Sequence, residues 1–137
     1  MQKPFKVKNI SVSIFIPYPI VYEYISEPKN FPEWASGLCK SIEQGTGQEW
    51  VLETPQGKLK AVFTPKNEYG ILDHTVLFDN GQKVENPMRV IRNGEGCEIL
   101  FTLFQTPDMS LEKFEEDANW VQKDLNELKT LVEKKFG

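Results

Sequence analysis

The residues with most capacity for chemistry are few and well separated. His74 is the single histidine of the chain, and histidine is the side chain whose ordinary titration lies near neutrality, which suits it to carrying a proton. It stands in the alternating run Leu72, His74, Val76, Phe78, so it points to the apolar face of a strand, and the adjacent Asp73 points to the opposite one. With no acid identifiable on its own face, the pattern favours a histidine held in a core or cavity wall over a proton shuttle. Arg89 and Arg92 are the two arginines, both in the run after Pro87. Three residues apart in a strand, they lie on opposite faces, so one could be inside. A buried guanidinium needs a carboxylate, supplied by Glu85 or by a ligand. A structural ion pair at a sheet edge explains Arg89 at least as well.

The aromatic residues Trp34, Trp50, Phe63 and Phe78 can together line an inner space suited to flat or greasy molecules, although each taken singly reads as packing. Cys39 and Cys97 are the only cysteines, with no histidine or second cysteine at ligand spacing, so buried free thiols are expected and a zinc site or disulfide is not. The acidic Glu115, Glu116 and Asp117 fall in the first turns of a helix, where the dipole accounts for them without a metal. No cofactor is expected.

These residues must be positioned by a long helix and a sheet. Between Ser110 and Phe136, apolar residues recur at Phe114, Ala118, Val121, Leu125, Leu128 and Val132, alternating steps of three and four that form one helical stripe. Ser110 is a good N-cap, and Lys134 and Lys135 suit the other end. Val121 and Leu125 would face the same space as the aromatic set. Trp120 lies about 120° off the stripe, on the flank of Leu131, where it could cover a cavity mouth, touch other helices or meet a second subunit in a homodimer.

Ahead of the helix, Lys8 to Ile16 alternates as a half-buried strand, with Ile10, Val12, Ile14 and Ile16 on one face. Pro17 ends it, Ile20, Val21, Tyr24 and Ile25 space as a short helix, and Asn30 to Ser36 continues as a second. From 38 to 105 short strands are separated by turns at Gly45-Thr46-Gly47, Pro55-Gln56-Gly57, Lys66-Asn67-Glu68, Asp79-Asn80-Gly81 and Asn93-Gly94-Glu95-Gly96. Asn80-Gly81 is the strongest hairpin signal. The gaps leave no room for crossover helices, so the strands pair as an antiparallel meander. Pro87 indicates an edge or a bulge, and the strand 97 to 105 is apolar on both faces, so its inner side is undetermined.

At 137 residues with a net charge of −4, one domain spanning 1–137 is the economical expectation. The basic residues are scattered, which argues against nucleic acid as a partner. The N-terminal residues lack an apolar signal region and no run is long enough to span a bilayer, so a cytoplasmic protein without membrane insertion is expected.

This order of elements resembles the START-like, helix-grip superfamily (SRPBCC). The segment VYEYISEPKNFPEWASG (21 to 37) is similar to that group's two short helices ending around a Trp. GQKVENPMRVIRNGEGCEILFTLFQTPDMS (81 to 110), with Asp117, Asp124, Leu125 and Leu128, resembles a bacterial polyketide cyclase/dehydrase-like branch. The resemblance implies an α+β helix-grip fold, a curved antiparallel sheet of about seven strands wrapped around the C-terminal helix with two short helices after the first strand. It also singles out Arg89, within PMRV. The leading expectation is a protein that binds a small hydrophobic ligand, such as a lipid or polyketide, between sheet and helix. The alternatives are a polyketide cyclase or dehydratase using His74 and Arg89, or a protein-interaction or chaperone-assisting module working through the sheet.

Overall fold

The computed structural model describes residues 3–137. Strand β1 (Val7–Ile14) leads into α1 (Tyr18–Ile25), a 3-10 turn (Pro28–Asn30) and α2 (Phe31–Trp34). Seven further strands follow: β2 (Ser41–Gln44), β3 (Glu49–Thr54), β4 (Gly57–Phe63), β5 (His74–Leu77), β6 (Lys83–Asn86), β7 (Met88–Asn93) and β8 (Gly96–Phe104). Helix α3 (Leu111–Phe136) completes the chain. Every strand pairing is antiparallel, in the orders β1-β8-β7 and β2-β3-β4-β5-β6.

The two sheets are joined by one bent strand. His74 faces Asn86 in the β5–β6 ladder, and Ile71 faces Arg89 beyond it, so a single register runs through the break. The Leu72 N–H donates to the Met88 carbonyl and the Val90 N–H to the Gly70 carbonyl, each at 2.9 Å. The interruption falls at Pro87, opposite Asp73 in a non-hydrogen-bonded pair; its carbonyl accepts the Thr102 N–H of β8, so the N–H it lacks is lost on the β8 side and the strand bends there. The eight segments are therefore the seven strands expected, with Pro87 acting as a bend between sheets. Gly70, at φ +70°, is required beside this bend: a Cβ there would stand 2.3 Å from the Val90 carbonyl oxygen.

Asn80 and Gly81 form the hairpin tip between β5 and β6, with Gly81 at φ +86° and its N–H donating to the Phe78 carbonyl. In β8 the inner face is Cys97, Ile99, Phe101 and Leu103, all buried. Leu100 and Phe104 occupy the outer face, where Leu100 lies between Ser11 and Arg89 in the pairing.

Helix α3 begins where Ser110 accepts a hydrogen bond from the Lys113 N–H at 3.0 Å. Its stripe of Phe114, Ala118, Leu125, Leu128 and Val132 is buried. It lies mainly along β1, with smaller contacts to α2 and β8. Fully burying Leu128 or Val132 contributes about 1.5–3 kcal/mol each. The far end is fastened by polar contacts: Lys129 Nζ donates to the Ser13 carbonyl at 2.7 Å and pairs with Glu133 at 2.8 Å, while the Glu133 carboxylate accepts the Phe15 N–H at 2.9 Å. No helix among the described residues is long and apolar enough to cross a membrane.

Candidate functional site

Because α3 lies over β1, much of the inner face of the five-stranded sheet has a different environment. Its side chains fall in three rows across the strands. Ile42, Leu52, Leu59 and Phe78 form one; Trp50, Ala61, Val76 and Val84 the next; Phe63, His74 and Asn86 the last. Leu52, Leu59, Ala61 and Val76 are buried, whereas Trp50, Phe63 and Phe78 point to the same side and are only half-buried. Water still reaches part of each ring, while Phe63 and Phe78 also pack against the core. Val121 of α3 is also half-buried, while Leu125 is 1% exposed and belongs to the main core.

The wall ends in a closed aromatic cluster. Phe63 stacks on His74 with ring centroids 5.6 Å apart, and Phe31 of α2 meets Phe63, His74 and Trp34 edge-on at 5.4, 5.5 and 5.1 Å. Phe101 of β8 stands 6.3 Å from His74. Two of its rings carry polar atoms. The indole Nε1–H of Trp34 is buried with no hydrogen-bond partner, a state that costs about 1–3 kcal/mol. The imidazole of His74 has one hydrogen bond, from Nδ1 to the Leu72 carbonyl at 3.3 Å. A carbonyl can only accept, so the proton is placed on Nδ1 and Nε2 presents a lone pair. Burial pushes the His74 pKa down, against smaller opposing effects of the Leu72 carbonyl and Asp73, and keeps the ring neutral.

The break at Pro87 explains why His74 is held this way. In an unbroken ladder the Met88 N–H would return to the Leu72 carbonyl. Here it donates instead to the Asp73 carboxylate at 2.8 Å, and the Leu72 carbonyl is left to His74. Arg89 pairs with the same Asp73 carboxylate and also donates to the Met88 carbonyl at 3.0 Å. Lying between buried Met88 and Val90, Arg89 faces outward. The guanidinium partner is therefore Asp73 and not Glu85, because the register brings residue 73 against the bend while Glu85 lies opposite Thr75. His74 and Arg89 are on opposite faces of the sheet and do not meet at one ligand position. Among the described residues, the hydrogen bond of the His74 ring is to the Leu72 carbonyl and to no acidic or basic side chain.

Phe31, Phe101 and Asn86 belong to this region but were not singled out by the sequence patterns. The turn signal does not give Asn86: a two-residue turn at Asn80-Gly81 would set Pro87 opposite His74, whereas the loop is 79–81, Phe78 pairs with Gln82, and His74 faces Asn86. Phe31 and Phe101 depend on how α2 and β8 close over the sheet, which local spacing does not encode. Trp120 lies across Gly37, where a Cβ would come within 3.0 Å of its ring, and Lys123 approaches that ring at 4.9 Å. Nearby, Ser36 Oγ donates to the Glu127 carboxylate at 3.1 Å. Asp124, half-buried on the same flank, has its carboxyl pushed up to about 6, by burial first and by the charge of Glu127 second, with Lys123 opposing. Two open surface clefts, of about 550 and 510 Å³, lie around Arg92 with Tyr18 and around Ile20 with Phe136. Neither is between the sheet and α3.

No family model and no curated protein matches the sequence. Solved structures do match in shape. A START superfamily protein from Mycobacterium smegmatis superposes with a TM-score of 0.73 at 12% identity, covering 93% of this chain and 97% of that one. DynU16, a putative protein in the dynemicin biosynthetic locus, gives 0.73 at 14% identity over 95% of this chain, which spans 48% of that protein. The Aha1 dimer from Colwellia psychrerythraea gives 0.73 at 13% identity, covering 96% and 99%. At such low identity these likenesses speak to architecture, and with the bent seven-stranded sheet and its long terminal helix they establish that the chain has a START-like (SRPBCC-like) helix-grip fold.

Proposed function

We propose that the protein binds a small apolar molecule, a lipid, a polyketide or one of similar character, along the inner face of the five-stranded sheet. The observation that carries this reading is the partial exposure of Trp50, Phe63 and Phe78, three inward rings that α3 leaves uncovered. Solvated aromatic surface gains free energy when an apolar ligand displaces the water, at about 25 cal/mol per Å² removed. The shape likeness to a START superfamily protein and to a protein of a biosynthetic locus agrees with this use of the fold. An enzyme relying jointly on His74 and Arg89 is not proposed, because those side chains face away from each other.

Two measurements test the reading. Native mass spectrometry of protein purified from its own source should show a retained small apolar molecule, released on denaturation. In titrations with the neutral probe N-phenyl-1-naphthylamine, Phe78→Ser should weaken binding about tenfold, while Leu100→Ser on the outer face should not change it. Equal effects of the two substitutions, in variants with unaltered circular dichroism, would refute the inner face as the site.

A further inference from the structure

We propose that the closed end of the aromatic wall recognises an uncharged ring compound carrying both a hydrogen-bond acceptor and a donor, with Trp34 Nε1–H serving a carbonyl or ether oxygen and His74 Nε2 taking a hydroxyl proton. This rests on the ligand-binding reading above and specifies its chemistry. The two groups are 95% and 94% buried as residues, and each has an unused hydrogen-bonding position: the indole N–H has no partner, and the imidazole has committed only Nδ1. A core selected solely for packing would place an apolar side chain at Trp34, since its unmade bond is a standing cost.

Phe31 touches both Trp34 and His74, and Phe63 joins the cluster to the half-open wall. A ring lying along Trp50 and Phe63 would bring its polar substituents toward this end. Asn86, directly across from His74, uses Nδ2 on the Val84 carbonyl at 3.4 Å and leaves its amide oxygen as a further acceptor. The element that must yield is α2. It is four residues long, and its C-terminal side is tied to α3 by Ser36 with Glu127 and by Trp120 over Gly37.

The charge of the ligand follows from what the interior lacks. Among the described residues, the buried polar side chains besides the aromatic Trp34, Tyr22 and Tyr24 are Thr54 and His74, and Thr54 is satisfied by the Gly57 carbonyl and the Gln56 N–H. No buried cation exists among the described residues to meet a carboxylate, because Arg89 is outside with Asp73. An anionic ligand would be desolvated without compensation.

The test compares three probes on one ring system by isothermal titration calorimetry: 2-acetyl-6-hydroxynaphthalene, 2-ethylnaphthalene and 6-hydroxy-2-naphthoate. Wild-type protein should bind the hydroxyketone at least tenfold more tightly than the hydrocarbon and at least tenfold more tightly than the naphthoate. Trp34→Phe and His74→Phe should each erase most of the hydroxyketone advantage while leaving 2-ethylnaphthalene binding within about twofold. Equal wild-type affinity for hydroxyketone and hydrocarbon, or tightest binding of the naphthoate, would overturn the inference and leave the apolar site standing. Failure of all three probes to bind would overturn both. The wild-type comparison needs no variant, so it decides the matter even if a substitution impairs folding.

Discussion

Replacing Asp124 by Asn should stabilise the protein at neutral pH, and the gain should vanish in acid. Asp124 is half-buried beside Gly37 and Trp120, without a hydrogen bond among the described residues. Burial, aided by Glu127, raises its carboxyl from 3.8 to about 6 in the folded state. Between those values the folded protein holds a proton that the unfolded chain has released. Stability therefore falls as pH rises through that window, and the penalty is fully present above it. At full strength such a difference corresponds to about 3 kcal/mol, and solvent screening of a partly open carboxylate reduces this to about 1–2 kcal/mol. Asn keeps the shape and discards the charge. In urea unfolding, Asp124→Asn should exceed wild type by about 1–2 kcal/mol at pH 7.5 and match it near pH 3.5. A loss of stability at pH 7.5, or a difference constant across pH, would show that the carboxylate is not held against its charge.

Two further outcomes follow from the bend at Pro87. Asp73→Ala should cost about 1–3 kcal/mol because it strands the Met88 N–H, whereas Arg89→Ala should cost no more than about 1 kcal/mol because the pair is partly exposed. Neither should alter N-phenyl-1-naphthylamine binding, and thermal unfolding in the reverse order would contradict the role given to Asp73. For His74, whose folded pKa is lowered by burial, the unfolded chain takes up a proton first as pH falls below about 6.5, so folding loses stability from there downward. His74→Phe should make that acid loss shallower between pH 6.5 and 5 in urea titrations. An unchanged slope would mean the imidazole is not held neutral.

Much of the architecture was legible because it depends on local periodicity. The stripe from Phe114 to Val132, the Ser110 cap and the Asn80-Gly81 turn each declare an element within a few residues. Alternation also put Trp50, Phe63 and His74 on the inner face. Beta-strand 8 resisted because its outer residues Leu100 and Phe104 are apolar too. Only the pairing of Cys97 with Ile14 and of Ile99 with Val12 fixes which side is in. The expectation that Val121 and Leu125 share one environment was too coarse: the helix leans on β1, so Leu125 is buried and Val121 is not. For a buried arginine the sequence leaves the carboxylate open between a protein one such as Glu85 and a ligand, whereas the ladder delivers Asp73 to Arg89 from sixteen residues away.

The same ladder shows why the outer and inner features of this sheet are one device. The bend at Pro87 leaves a donor at Met88 and an acceptor at Leu72 that no longer meet. Two adjacent residues of opposite orientation resolve this: Asp73 turns outward and takes the donor, and His74 turns inward and gives its Nδ1 proton to the acceptor. Satisfying the backbone thus fixes the imidazole tautomer and leaves Nε2 with a free lone pair. A substitution at Asp73 perturbs the site only through the backbone at Met88 and Leu72, while one at His74 removes the acceptor itself. That is why the two variants should separate, Asp73→Ala lowering stability with probe selectivity retained and His74→Phe losing the selectivity.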